Sequence, residues 1–166
     1  MARTRPSGLP IVEPDSLVIA EEVAKIDGRG RLRLLPRWTA RIAWWSDDDP
    51  FEVLMVFDEP GRITLRDWKT DGLRVVTRYE ELKQRDDQDA LEALRLLADR
   101  YQRLRFDREK CAHVGDAALA HFKFPIERGA ERIVYVAIFP ELLVLLSPAY
   151  RDAKLTLGSP LLDDLP

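Results

Sequence analysis

Two apolar runs joined by a four-residue turn constrain the fold of this chain more than any other feature. The runs FEVLMVF and RITLRDW flank Asp58-Glu59-Pro60-Gly61. Their β-branched and aromatic residues suit strands, and the proline followed by a glycine suits a tight reversal. The pattern predicts a β-hairpin, and ERIVYVAIF and LLVLLSP around Pro140-Glu141 predict a second hairpin of buried strands.

A glycine-rich turn precedes the first hairpin. From Leu17 the chain reads LVIAEEVAKID, then GRG, then RLRLL, which predicts two short strands hinged at Gly28 and Gly30. Asp27-Gly28 is a turn signal because glycine accepts the positive φ that a tight turn requires. Pro36 lacks an N–H for a strand ladder and ends the second strand, and RWTARIAWW after it can form about two helical turns.

A long amphipathic helix is predicted in the middle of the chain. Asp86 is a candidate N-cap, and the acidic residues Asp86, Asp87 and Asp89 suit the first turn of a helix. Apolar residues follow at helical spacing, which indicates roughly five turns ending near residue 105. These residues are Ala90, Leu91, Leu94, Leu97, Ala98, Tyr101 and Leu104.

Composition indicates a folded, soluble protein of a reducing compartment. Of the 166 residues 46% are hydrophobic, and a single cysteine, Cys111, allows no disulfide within the chain. No apolar segment is long enough for a signal peptide or a membrane span, so we expect a cytoplasmic protein without membrane contact.

The charge of the chain is unevenly distributed. The net charge is −3, but the segment between Ala24 and Arg41 contains six basic residues and one acidic residue. That asymmetry can form a positive patch on an acidic protein.

The chain contains a weak internal repeat. DGRGRLRLLP followed by the first hairpin matches DAALAHFKFP followed by the second, with Asp27 and Asp116 each nine positions before a proline. This predicts a flexible arm over 1–15, a first repeat over 16–70, a helical linker over 71–110, a divergent second repeat over 111–157 and a tail over 158–166.

The first repeat resembles the AbrB/MraZ swapped-hairpin transcription factors. That family has a strand, an aspartate, a Gly-Arg pair, alternating apolar residues and a proline. One extra residue, Leu35, precedes the proline here, and the second repeat lacks the Gly-Arg pair. The family positions are held by Asp27, Gly30, Arg31, Leu32, Leu34 and Pro36.

This resemblance implies a mainly β fold with helices, of the α+β class. Two swapped-hairpin halves would form a small pseudo-dimeric barrel, joined by the amphipathic helix. It also implies a homo-oligomer that binds repeats in promoter DNA and associates with the nucleoid. Arginines beside a glycine turn can approach phosphates closely and can reach base edges in a groove. We therefore predict that double-stranded DNA is contacted by Lys25, Arg29, Arg31, Arg33 and Arg37.

An alternative is a non-catalytic oligomerisation or protein-interaction module of the same fold that does not bind DNA. The acidic net charge and the strongly apolar second hairpin favour this alternative. Under it, the five cations form a solvated strand face.

No enzymatic activity, cofactor, metal or small-molecule substrate is indicated by the residues. Cys111, His113 and His121 supply at most three zinc ligands, and the chain has no phosphate-binding loop of the GxxxxGK type. The residues Trp38, Trp44 and Trp45 beside the basic segment are better suited to closing a small core than to stacking on bases.

Overall fold

The computed structural model describes residues 3–4, 10–11, 21–124 and 132–157. Eight strands form one antiparallel sheet in the order β7-β5-β6-β10-β9-β3-β4-β8. The backbone N–H of Asp107 donates to the carbonyl of Cys111 at 2.9 Å, so the two outermost strands are also in contact and the barrel is nearly closed. The strands of the barrel are β3 Glu21–Ile26, β4 Arg31–Arg33, β5 Phe51–Phe57, β6 Arg62–Asp67, β7 Tyr101–Phe106, β8 Cys111–His113, β9 Arg132–Ile138 and β10 Leu143–Leu146.

Short strands and helices complete the described chain. Two-residue strands β1 and β2, Arg3–Thr4 and Pro10–Ile11, pair with each other within the range predicted as a flexible arm. A π-helical segment, Trp68–Gly72, leads directly into α2. None of the described helices is long and apolar enough to cross a membrane. The helices are α1 Pro36–Thr39, α2 Leu73–Lys83, α3 Gln88–Arg100, α4 Gly115–His121 and α5 Pro148–Leu157.

Strand pairing relates two halves of the barrel by a pseudo-twofold axis. Strands β3–β6 make up the first half and β7–β10 the second, and exchanging the halves leaves the strand order unchanged. The register obeys the same symmetry, because Phe51 is opposite Phe106 where β5 meets β7, and Arg132 is opposite Ile26 where β9 meets β3. The axis passes near the pair formed by Leu32 and Ala112, where β4 meets β8.

The two halves also build the same turn from different residues. In the first, the carboxylate of Asp27 accepts from the backbone N–H groups of Arg29 and Arg31 at 2.8 and 3.0 Å. In the second, the carboxylate of Asp107 accepts from residues 109 and 111 at 2.9 and 3.0 Å. The residue in the left-handed region is Gly30 with φ 80° in the first turn and Lys110 with φ 63° in the second.

The barrel is closed by an apolar core and covered on part of its outer surface by helices. Leu32, Leu34 and Phe106 are fully buried inside it, and Trp38 caps the core from α1. The outward positions of β5 are also buried beneath the α2–α3 side of the sheet, so β5 does not alternate between buried and exposed residues. Helix α5 lies against β9.

Both predicted hairpins and the strands that flank the glycine turn are confirmed. The helical segment after Pro36 is a single turn, and proline occupies the first turn of α1, where its missing N–H costs no helical hydrogen bond. Helix α2 lies wholly between residues 71 and 84, within the range predicted as a helical linker.

The predicted five-turn helix was too long, and the N-cap was misplaced by one residue. The side chain of Asp87, not Asp86, accepts from Ala90 at the start of α3. The helix ends at Arg100, and strand β7 follows without a break within the range predicted as a helical linker. Pairing with β5 buries Leu104 and Phe106 in the barrel. This burial stabilises a strand more than the helical spacing of the apolar residues stabilises a continued helix.

The register predicted for the internal repeat was wrong. The counterpart of Asp27 is Asp107, whereas Asp116, the residue matched to Asp27 in the sequence, lies in the first turn of α4. Pro125, which anchored the predicted alignment, lies outside the described residues, as does the tail over 158–166.

The glycine turn gives a direct test of local backbone strain. A Cβ added at Gly30 would meet no heavy atom within 4 Å among the described residues. Gly30→Ala should therefore lower the free energy of unfolding by about 1 kcal/mol through its left-handed conformation alone. Gly28→Ala is the matched control, because the φ of Gly28 is not positive, and it should change stability by less than about 0.5 kcal/mol. Urea denaturation measures both, and equal losses would contradict the assignment.

Candidate nucleic-acid interface

Strands β3 and β4 carry three of the predicted cations on one exposed side. The burial of β4 alternates, with Arg31 and Arg33 outward and Leu32 inward. On β3, Ala24 and Ile26 are buried and Lys25 is exposed. Because Ile26 is opposite Leu32, the antiparallel register places Lys25 beside Arg33 on the outer side.

The positively charged surface continues onto the second half. Outward residues of β7 are Arg103 and Arg105, which are exposed. We call the outward side of β3, β4, β8 and β7 the cationic face. Both arginines of β7 contact the carboxylate of Glu52 on β5, and Arg103 also lies 4.4 Å from the ring of Trp68. Glu52 therefore neutralises part of the charge at this edge.

Strand β8 interrupts the cationic face with two uncharged or weakly basic side chains. His113 is opposite Arg31, and Cys111 is opposite Arg33. Burial raises the pKa of the Cys111 thiol, with Asp107 contributing in the same direction, so this residue adds no charge to the face near neutral pH. The strongest concentration of cations thus lies on the first half.

Asp27 fixes the position of Arg31. Its carboxylate accepts from the Nε of Arg31 at 2.9 Å in addition to the two backbone N–H groups. The hydrogen bond from the Arg31 backbone is the largest of the effects that lower the pKa of Asp27 below its usual value of 3.8. Arg29 lies at the tip of the same turn with an exposed side chain.

Arg37 lies apart from the other predicted site residues. Its guanidinium on α1 forms an ion pair with Glu22, and this hydrogen bond is the largest of the effects that lower the pKa of Glu22. Glu22 is on the same side of β3 as buried Ala24, whereas Lys25 is on the opposite side. The structure therefore brings together Lys25, Arg31 and Arg33, with Arg29 at the adjoining turn, but not Arg37.

Sequence reasoning missed Arg103 and Arg105. The signal was present in YQRLRF, where arginines alternate with Leu104 and Phe106, but the same apolar residues continue the spacing of α3. No glycine or proline separates the helix from the strand.

The other candidate residues are dispersed or buried. His121 on α4 contacts the carbonyl of Arg62 at 2.8 Å, away from the outward pair formed by Cys111 and His113. In the described part of the chain no three histidine, cysteine or acidic side chains form a possible metal site. Trp38 is buried in the core, and Trp44 and Trp45 pack against it, which confirms their interpretation as core residues.

Comparisons with known proteins do not assign this chain to a family. No family model matches the chain, and no curated protein matches it.

The role of Asp27 predicts a pH-dependent loss of stability. Because the folded-state pKa is lowered, ionised Asp27 stabilises the fold above the unfolded-state pKa, and this contribution is lost as the pH falls through the folded-state pKa. Asp27→Ala should cost about 1 kcal/mol near neutral pH, a value limited by the solvent exposure of the Asp27–Arg31 pair. The difference in free energy of unfolding between Asp27→Ala and the unaltered chain should become smaller below pH 3.8.

Urea denaturation across this pH range measures the effect. Asp48→Ala, which removes an exposed carboxylate from the acidic run after α1, is the control. A deficit for Asp27→Ala that is the same at neutral and acidic pH would contradict the role of the ionised carboxylate.

Proposed function

We propose that this chain is a non-enzymatic transcriptional regulator that binds double-stranded DNA through the cationic face and the Asp27–Gly30 turn. The observation that carries the proposal is the placement of Lys25, Arg31 and Arg33 side by side on exposed, adjacent strands. Such a regulator would act in the cytoplasm, on the nucleoid.

The pseudo-twofold barrel supports a swapped-hairpin fold of the AbrB/MraZ type. The hairpin β5–β6 of the first half pairs with β7, and the hairpin β9–β10 of the second half pairs with β3. Each half thus completes its sheet with a hairpin contributed by the other half. This exchange of hairpins is what the name of the family describes.

The geometry of the cationic face suits a phosphate backbone. Outward residues two apart on one strand are separated by about 6.6 Å, and neighbouring strands are about 4.8 Å apart, so the cations lie within reach of successive phosphates. Contacts of this kind give affinity and position. Arg29, at the exposed tip of the turn, is placed to reach a base edge, where arginine recognises guanine.

The two halves contribute unequally to this proposed interface. Glu109, Cys111 and His113 occupy the places of Arg29, Arg31 and Arg33 in the second half. Each chain therefore offers one strongly basic turn. A homo-oligomer would engage several promoter repeats at once and so raise the affinity of a weak single contact.

Arg33 provides the sharpest test of DNA binding. Its side chain has no hydrogen bond or ion pair to any residue of the described ranges, so Arg33→Ala removes a charge without breaking an internal contact. We expect the slope of log affinity against log salt concentration to fall by about one unit, because one phosphate contact is lost. Fluorescence anisotropy with a labelled promoter duplex at several salt concentrations measures this slope.

Arg95→Ala is the matched control for that experiment. It removes an exposed arginine of α3 and changes the net charge equally. An unchanged slope for Arg33→Ala, or an equal fall for Arg95→Ala, would refute a specific contact at the cationic face.

The second candidate function is an assembly module that does not bind DNA. The observation in its favour is the exposure of apolar side chains on α2 and α3, where Leu73, Leu91 and Leu96 are 50, 56 and 64% exposed. Replacing Leu91 and Leu96 together by glutamate should lower the oligomeric state measured by light scattering, while the Arg95→Ala variant keeps it. An assembly that forms without any DNA binding at low salt would favour this function over the regulator.

A further inference from the structure

A groove of about 930 Å³ lies between the Asp27–Gly30 turn and the beginning of α4. We call it the turn groove. Its charged lining residues are Arg29, Arg31 and Arg132, with Asp27 and Asp116. The lining is therefore net positive, and two of its cations come from the turn while the third comes from the other half of the barrel.

Arg132 is the unusual residue of the turn groove. It is 3% exposed, and its Nη1 donates to the backbone carbonyl of Asp27 at 3.3 Å. By the pseudo-twofold register its counterpart in the first half is Phe51, an apolar core residue. Burying a guanidinium where a phenylalanine would pack is costly, and the hydrogen bond to Asp27 offsets part of that cost.

The pseudo-symmetric site in the other half has the opposite character. Beside the turn formed by Asp107 and Lys110, the cavity is only about 340 Å³. Trp45 and Phe51 fill its wall with ring centroids 4.6 Å apart, and acidic residues of the run after α1 also line it. The open, cationic groove is thus found at only one of these two pseudo-symmetric sites and does not follow from the barrel architecture.

Two glycines leave room at the wall of the turn groove. Gly30 and Gly115 have φ of 80° and 84°, and a Cβ added to either would meet no heavy atom within 4 Å in the described ranges. A ligand can therefore approach the backbone at these two points more closely than side chains would allow.

We propose that the turn groove binds a phosphate group. Guanidinium groups recognise phosphate through paired N–H donors, and Arg29, Arg31 and Arg132 supply such donors from more than one side of the groove. The phosphate belongs either to the DNA backbone or to a phosphorylated small molecule. The first source rests on the proposed DNA binding, and the second does not.

Titration of the full chain with inorganic pyrophosphate at low ionic strength tests the site itself. Calorimetry should show saturable binding that Arg29→Ala and Arg132→Gln each weaken by about tenfold or more. Arg95→Ala and Arg108→Ala are the controls, since Arg95 lies on α3 outside the groove and Arg108 lines the pseudo-symmetric cavity, and both should bind within about twofold of the unaltered chain.

Two results would overturn the proposal. One is the absence of saturable pyrophosphate binding, and the other is an equal loss of affinity in Arg95→Ala, which would indicate general attraction by surface charge. If circular dichroism shows that Arg132→Gln does not fold, the proposal is tested with Arg29→Ala and Arg29→Lys, because Arg29 is exposed. Lysine there keeps the charge but loses the paired donors, so affinity should be recovered only in part.

Competition with a promoter duplex distinguishes the two sources of phosphate. If the groove takes a backbone phosphate, pyrophosphate displaces the duplex, and Arg132→Gln weakens DNA binding in the absence of pyrophosphate. If it takes a small molecule, Arg132→Gln loses pyrophosphate but keeps its affinity for DNA. Pyrophosphate binding by a chain that binds no DNA would refute the proposed function and leave this site in place.

Discussion

The pairing of strands between the two halves is the constraint on which the rest of the structure depends. Strand β3 pairs with β9 of the second half, and β7 pairs with β5 of the first. The core is built from inward residues of both halves, with Ile26 and Val136 beside the first of these pairings and Val53 and Phe106 beside the second. Neither half can therefore bury its apolar side chains alone, and the halves must fold as one unit.

This constraint also decides which part of the barrel stays uncovered. The hairpins β5–β6 and β9–β10 pack against helices on part of their outer sides, as the buried Leu54 and Val56 on β5 indicate. Strands β4 and β8 meet at the pseudo-twofold axis, and Arg31, Arg33 and His113 on their outward side are exposed. The basic segment near the start of the chain is thus presented to solvent as a surface, although the chain as a whole carries a net charge of −3.

Local patterns in the sequence were sufficient for the hairpins but not for the second turn. The apolar runs around Gly61 and Pro140 identify their strands because the signal lies within a few residues. The turn at Asp107 was hidden because Lys110 occupies the left-handed position that glycine holds in the first half. Strand β7 was hidden because its apolar residues fit both a helix and a strand, and only the pairing with distant β5 decides between them.

In the candidate site, too, the sequence identifies residues held by local contacts but not residues placed by distant ones. Arg29 and Arg31 could be identified from the turn itself, and Arg31 is held by Asp27 within the same five-residue segment. The position of Arg37 depends on Glu22, and that of Arg132 on the pairing of β9 with β3, so neither could be located without the fold. Arg37 was expected at the site and lies elsewhere, whereas Arg132 reaches the turn from a distant strand.

The two turns differ in charge although the strand pairing around them is equivalent. The pairing registers and the hydrogen bonds of both turns match, so the architecture itself treats these two sites alike. Substitutions that leave this architecture intact, such as Arg132 in the place of Phe51 and Arg31 in the place of Cys111, change only charge and open space. The barrel can therefore gather cations around one turn and fill the space beside the other with packed aromatic rings, because the backbone hydrogen bonds of the two turns are the same.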